Sequence, residues 1–277
     1  MEITNIIILF LLLHLSFSAN NNIYIEKWRD YPTCRLGRLQ SPIEINEYES
    51  IHSNDFSFVY QDYRNTTGGA LVKNEENYAF VADLKEGGYI NFERGGVIKQ
   101  YKLKRAELYP GLHIINGEKP DYELHLVHEK NLGFKTNKNQ YKRIQDPNMF
   151  LTIVLRYKKN CSGENKVCAS DNGLLKDLEY PSINLNYYPI FQDKRAFLYE
   201  GSSMHIPCDE NVNYYVIKDL FSYDGQDFTT LPLESINPME KYDRPVYKNF
   251  MNYKEVLKSK FISIKIITFL LIIFILF

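Results

Sequence analysis

The sequence predicts a mainly β protein, on three observations. Strand formers are abundant, with 22 Tyr and 17 Phe in 277 residues. Short β-type runs recur: FSFVY (56–60), YAFVADL (78–84), YINFE (89–93), YELHLVH (122–128) and FLTIVLRY (150–157). Helix patterns are scarce, and Leu174–Tyr180 is a short candidate. Gly68-Gly69, Gly87-Gly88, Gly95-Gly96 and Pro110-Gly111 supply turn signals between the runs. With 44% apolar residues the chain can bury a core, so it is not a disordered protein. Lys+Arg number 33 against 34 Asp+Glu, a net charge of −1. Nucleic-acid binding wants a basic excess, so no nucleic-acid partner is expected.

Taken from the N-terminus, residues 7–15 (IILFLLLHL) form a short apolar run followed by Ser16, Ser18 and Ala19. This reads as a signal peptide over residues 1–19. One β domain is expected from about residue 24 to 250. Residues 251–277 are a juxtamembrane segment and a hydrophobic tail, FISIKIITFLLIIFILF, from Phe261 to Phe277. As a helix the tail reaches roughly 26 Å, slightly short of a hydrocarbon core of about 30 Å. It fits a GPI-anchor signal, a transmembrane tail or a buried core strand. The first two place the body in the secretory pathway, at a cell surface or the luminal face of a secretory organelle, held to a membrane by the tail.

The cysteines suit that compartment. Cys34, Cys161, Cys168 and Cys208 allow three pairings in an oxidising lumen. Cys161–Cys168 would staple a short loop and stabilise by about 2.5 kcal/mol; Cys34–Cys208 would close most of the chain and contribute about 5 kcal/mol. The spacing is not that of a zinc ribbon. Asn65-Thr-Thr and Asn160-Cys-Ser are glycosylation sequons.

The stretch YELHLVHEKN carries the most chemistry. On a strand, Glu123, His125 and Val127 share one face, and Leu124, Leu126 and His128 share the other. A carboxylate beside an imidazole is the arrangement that orients a metal-ligating histidine. Other pieces fall in order around it: Trp28…Cys34…Gln40-Ser41-Pro42-Ile43-Glu44-Ile45, then Gly111-Leu-His113, Tyr199-Glu-Gly201-Ser202…Pro207-Cys208-x-Glu210-x-Val212, and Asp243-Arg244-Pro245. Together they resemble the α-class carbonic anhydrases over about 220 residues. The resemblance implies a large twisted mixed β-sheet with a conical cavity and a few short helices. It also implies a Cys34–Cys208 bridge and a fold-stabilising role for His113.

The resemblance further implies a site of three neutral imidazoles on zinc, which lowers the pKa of bound water to about 7. This chain departs from that site. His125 matches the third ligand and Glu123 its orienting carboxylate. The H-x-H pair of the family falls on Glu107 and Tyr109. Met204 stands for the threonine that orients zinc hydroxide, Leu112 for the glutamate behind it, and His205 for the threonine beside the substrate. Tyr78 stands for the proton-shuttle histidine.

The substitutions read as compensated. Arg105, Glu107 and Tyr109 share one strand face. A lone buried Glu107 would cost several kcal/mol, and Arg105 can pair with it. Met204 against Leu112 would replace a polar pair with apolar contact. The expectation is a catalytically degenerate carbonic anhydrase-related protein with no cofactor. It would act in binding, adhesion or scaffolding on a protein or glycan ligand. One alternative is a divergent carbonic anhydrase with zinc on Glu107, His125 and His205. Another is a structural or biogenesis role in a secretory organelle. A basic stretch from Lys135 to Lys159, with Lys138, Lys142, Arg143, Arg156 and Lys158, reads first as a solvated loop face and second as a surface for sulfated glycans.

Overall fold

The computed structural model describes residues 30–63, 66–74, 79–133, 148–159, 161–163, 166–170, 173–178, 183–184, 194–223, 244–251 and 255. After helix α1 (Pro32–Leu36) come strands β1 (Glu44–Ile45), β2 (Ile51–His52), β3 (Phe56–Asp62), β4 (Thr67–Gly68), β5 (Val72–Asn74), β6 (Ala79–Glu86), β7 (Tyr89–Arg94) and β8 (Val97–Pro110). Next are β9 (Ile114–Ile115), β10 (Tyr122–Lys130), β11 (Phe150–Lys159), β12 (Ser162–Gly163) and β13 (Lys166–Val167). Helix α2 (Leu174–Asp177), β14 (Ile183–Asn184), β15 (Ala196–Gly201), β16 (Val212–Tyr223) and β17 (Tyr247–Lys248) complete the order.

One 13-stranded sheet runs β14-β4-β6-β8-β10-β11-β16-β15-β17-β2, with β3, β5 and β7 paired off that path. It is mixed: β11 lies parallel to β16 and β17 parallel to β2, while β10 pairs antiparallel with both β8 and β11. The mainly β, mixed-sheet fold expected from the sequence is therefore observed.

The central strands are buried on both faces, and each face has its own core. Leu124, Leu126, Ile153, Leu155, Tyr215 and Ile217 pack into one cluster. Val154, Tyr199, Tyr214 and Val216 belong to another. The period-2 alternation of β11 and β16 sorts these residues to opposite faces. Cross-strand partners share a face, so Glu107 opposite His125, and His125 opposite Val154, place the candidate site on the second face.

The predicted runs fall on strands wherever they are described, the first residue of the 78–84 run lying outside the described residues. Strand β8, the longest, was not among those runs. Its sequence VIKQYKLKRAELYP is charged, and its burial changes along its length: the first half is half-exposed and the last five residues are buried. No single period describes such a strand. The short helix ends at Asp177 rather than Tyr180, with Leu178 as its C-cap. Gly87 is required by packing, because a Cβ there would lie 1.5 Å from the Leu103 carbonyl oxygen.

Both disulfides form, Cys34–Cys208 and Cys161–Cys168. Two such bridges belong to an oxidising environment, extracellular or secretory. Among the described residues no helix is long and apolar enough to cross a membrane. The signal-peptide segment, the hydrophobic tail after residue 255, Tyr78, Asn65, Asn160, Lys135, Lys138, Lys142 and Arg143 lie outside the described residues.

The basic stretch is corrected where it is described. Arg156 is 1% exposed and donates to the carbonyls of Lys218 and Glu118. Lys158 is half-buried and pairs with Asp121 at 2.6 Å. Both sit on β11, a central strand, so neither offers a free cation to a glycan.

Candidate functional site

The site grows from the β8–β10 register. Antiparallel pairing sets Tyr109 opposite Glu123, Glu107 opposite His125 and Arg105 opposite Val127, and the register slips after Val127. Glu107 is 1% exposed. Its Oε1 accepts from Arg105 Nε and from His205 Nε2, the latter at 2.5 Å; its Oε2 accepts from the Tyr109 hydroxyl at 2.8 Å. Burial opposes the charge on Glu107, but the hydrogen bonds and charges of His205 and Arg105 outweigh it and hold the carboxyl at about 2. For Arg105, burial opposes the charge and the Glu107 carboxylate more than restores it.

His205 arrives from the loop after β15. Its backbone N–H donates to Ser203 Oγ at 3.0 Å, and the Cys34–Cys208 bridge closes the same loop. Met204 and Leu112 pack with Tyr109 and that bridge in a small apolar cluster.

Deeper on the same face, Glu123 accepts from the His113 backbone N–H at 2.6 Å. Its Oε2 lies 2.8 Å from His113 Nδ1 and 3.1 Å from His125 Nε2. Burial opposes the Glu123 charge, but its two histidine partners hold the carboxyl well below the usual range. Burial also pushes the His113 titration down, so the ring is neutral at neutral pH. Its Nδ1–H then donates to Glu123, and its Nε2 accepts from the Tyr199 hydroxyl at 2.6 Å. This wiring matches the fold-stabilising role expected of His113. His125 likewise spends its Nε2–H on Glu123. Its Nδ1 is buried and, among the described residues, has no hydrogen-bond partner.

Among the described residues, the ligand-type atoms that converge within 4.8 Å are those of His113, Glu123 and His125. Glu107, His125 and His205 do not form such a group. The converging trio is hydrogen-bonded within itself and to Tyr199, and only His125 Nδ1 remains uncommitted. Beside it, both oxygens of Glu107 are engaged, Tyr109 is a neutral phenol donor, and the Arg105 guanidinium repels a second cation. Three neutral imidazoles around an open position are not assembled here, and these residues do not fit zinc.

A cavity of about 40 Å³ lies among Arg105, Glu107, His125, Thr152, Met204 and His205. That is room for about one water. Thr152 and Tyr214 also line it, from β11 and β16. Sequence reasoning missed both, although each occupies an alternate position on a long strand.

A family model for eukaryotic-type carbonic anhydrase matches residues 24–259, and the chain belongs to that family. It is 26% identical over 256 residues to alpha carbonic anhydrase 8 of Arabidopsis thaliana, covering 82% of this chain and 59% of that protein. It is 26% identical over 219 residues to alpha carbonic anhydrase 4 of the same plant, covering 78% and 74%. To dioscorin dioA3 of Dioscorea japonica it is 24% identical over 235 residues, covering 83% and 81%. The chain thus spans less than two thirds of the length of the first of these relatives.

Proposed function

We propose that this protein is a carbonic anhydrase-family domain that does not hydrate CO2. It acts by binding a protein or glycan ligand, and its tail holds it at a membrane of the secretory pathway. One observation carries the loss of catalysis. Glu107, which takes the place of a family zinc ligand, is a hub for three donors, Arg105, Tyr109 and His205. Its charge is already balanced, so a divalent cation would have to displace an arginine. Met204 and Leu112 are packed against each other's cluster, with no polar pair to aim a hydroxide. The binding role rests on analogy with non-catalytic members of the family.

A second reading has one observation in its favour. Among the described residues the buried His125 Nδ1 has no hydrogen-bond partner and is chemically a metal-ligand atom. A divergent metal centre would use it.

Elemental mass spectrometry of the purified chain after zinc exposure and dialysis tests both readings, together with a CO2 hydration assay. The expected result is no stoichiometric metal and no hydration above the buffer rate. One zinc per chain, lost in His125→Ala, would overturn the proposal and establish the second reading.

A further inference from the structure

A second cavity lies apart from the candidate site. It measures about 610 Å³ and is lined by Arg38, Leu39, Arg94, Glu200, Arg244, Pro245 and Tyr247. It shares no lining residue with the small cavity around Glu107. Glu200 alternates with Tyr199 along β15, so it projects from the sheet face opposite the candidate site. The volume falls within the range of about 300–1,000 Å³ usual for small-molecule pockets.

Its charge is lopsided. Among the described lining residues, three guanidinium groups meet one carboxylate. Arg94 bonds Glu200 at 3.0 Å and lies over the Tyr247 ring at 5.8 Å. Arg244 is 6% exposed, donates to the carbonyls of Glu200 and Gln40, and stacks over Tyr199. These contacts hold two guanidinium groups in fixed orientation. Arg38 is exposed, and among the described residues it has no ion-pair partner. Leu39, Pro245 and the half-buried Tyr247 supply an apolar wall beside the cations. Guanidinium forks match the two-oxygen edge of a carboxylate or sulfate. An aromatic and apolar wall suits the flat face of a sugar ring.

We propose that this pocket binds a small acidic sugar, its carboxylate or sulfate oxyanion held by Arg38 and Arg94 and its ring lying against Tyr247. The inference rests on the binding role proposed above but not on the loss of catalysis. Glu200 competes with the ligand for Arg94, and its side chain is 43% exposed, so it can yield its partner to an incoming anion.

Isothermal titration of the full chain with N-acetylglucosamine 6-sulfate, glucuronate and uncharged N-acetylglucosamine tests the proposal. At least one acidic sugar is expected to bind while the uncharged sugar does not, and the tighter acid tells sulfate from carboxylate. Loss of one charge-assisted hydrogen bond in Arg38→Gln should weaken binding about tenfold. Glu200→Gln should tighten it several-fold by freeing Arg94. Among the described residues Arg38 has no ion-pair partner to lose, so thermal unfolding of Arg38→Gln should match the parent and exclude misfolding. Equal affinity for charged and uncharged sugars, no binding of either acid, or binding indifferent to Arg38→Gln would overturn the proposal. Metal content and hydration are unaffected by these variants, so failure here is distinguishable from failure of the non-catalytic reading.

Discussion

Glu107 shows how a metal position can be refilled without leaving an unpaired charge. Its three donors come from two sources. Arg105 and Tyr109 are two residues away on either side of it along β8, and His205 is 98 residues distant. The first two were legible, because i±2 spacing on a strand puts side chains on one face. His205 was read as a possible metal ligand, and its actual role depends on a loop fold that no periodicity reveals. Removing one partner of a buried ion pair costs about 3–5 kcal/mol, whereas replacing both with apolar groups is often near neutral. Arg105→Met should therefore destabilise by about 3 kcal/mol, discounted somewhat because Arg105 is 30% exposed. Arg105→Met with Glu107→Met should cost less than that single change, as a urea-unfolding double-mutant cycle will show. Tyr109→Phe removes one hydrogen bond to the carboxylate and should cost about 1.5–3 kcal/mol by the same measurement.

Single strands carry their own predictions. On β10 the period-2 alternation puts His128 on the main-core face with Leu124 and Leu126, where Nε2 meets the Tyr63 hydroxyl at 2.9 Å and Nδ1 donates to the Leu151 carbonyl at 3.1 Å. Burial holds the His128 titration down at about 4, against an ordinary 6.5. Between those values the unfolded chain binds a proton that the folded chain refuses, so stability falls as pH drops from 6.5 toward 4. Glu107 extends the loss at lower pH. Its carboxyl sits at about 2 rather than 4.5, so its contribution is complete above 4.5 and vanishes as pH falls through 2. Chemical denaturation across pH should show both phases, and His128→Gln should shrink the first, leaving the share that buried His113 contributes, with the second unchanged. Strand β11 shows where sequence reading fails. Arg156 and Lys158 resemble a solvated basic run, but on this central strand Arg156 is buried and Lys158 is half-buried against Asp121. Arg156→Met should destabilise by about 3 kcal/mol, because it strands two carbonyls of other segments, and sugar affinity should be unchanged in the titration described above.

At the scale of the whole molecule, the family, the sheet and the Cys34–Cys208 bridge were all legible, since each rests on motifs or runs with local signatures. The acidic-sugar pocket was not. Its lining comes from the segment after α1, the end of β7, β15 and the approach to β17, and only the sheet order brings these together. The C-terminal end is secured in a similar way. Buried Lys248 donates to the Glu47 carbonyl at 2.8 Å and pairs with Glu255 at 3.0 Å, six residues before the hydrophobic tail begins. Glu255→Gln should loosen that end, and faster amide exchange near Lys248 is the readout. The Cys34–Cys208 bridge spans 174 residues, and loop-closure entropy makes its loss cost about 5 kcal/mol. Lys135, Lys138, Lys142 and Arg143 all lie between its two ends in the chain. A protease that clips among them therefore produces two polypeptides still bolted together through sulfur. On a gel such a molecule would run at full mass until reductant splits it in two, and clipping there in transit need not cost the protein its sheet or its ligand.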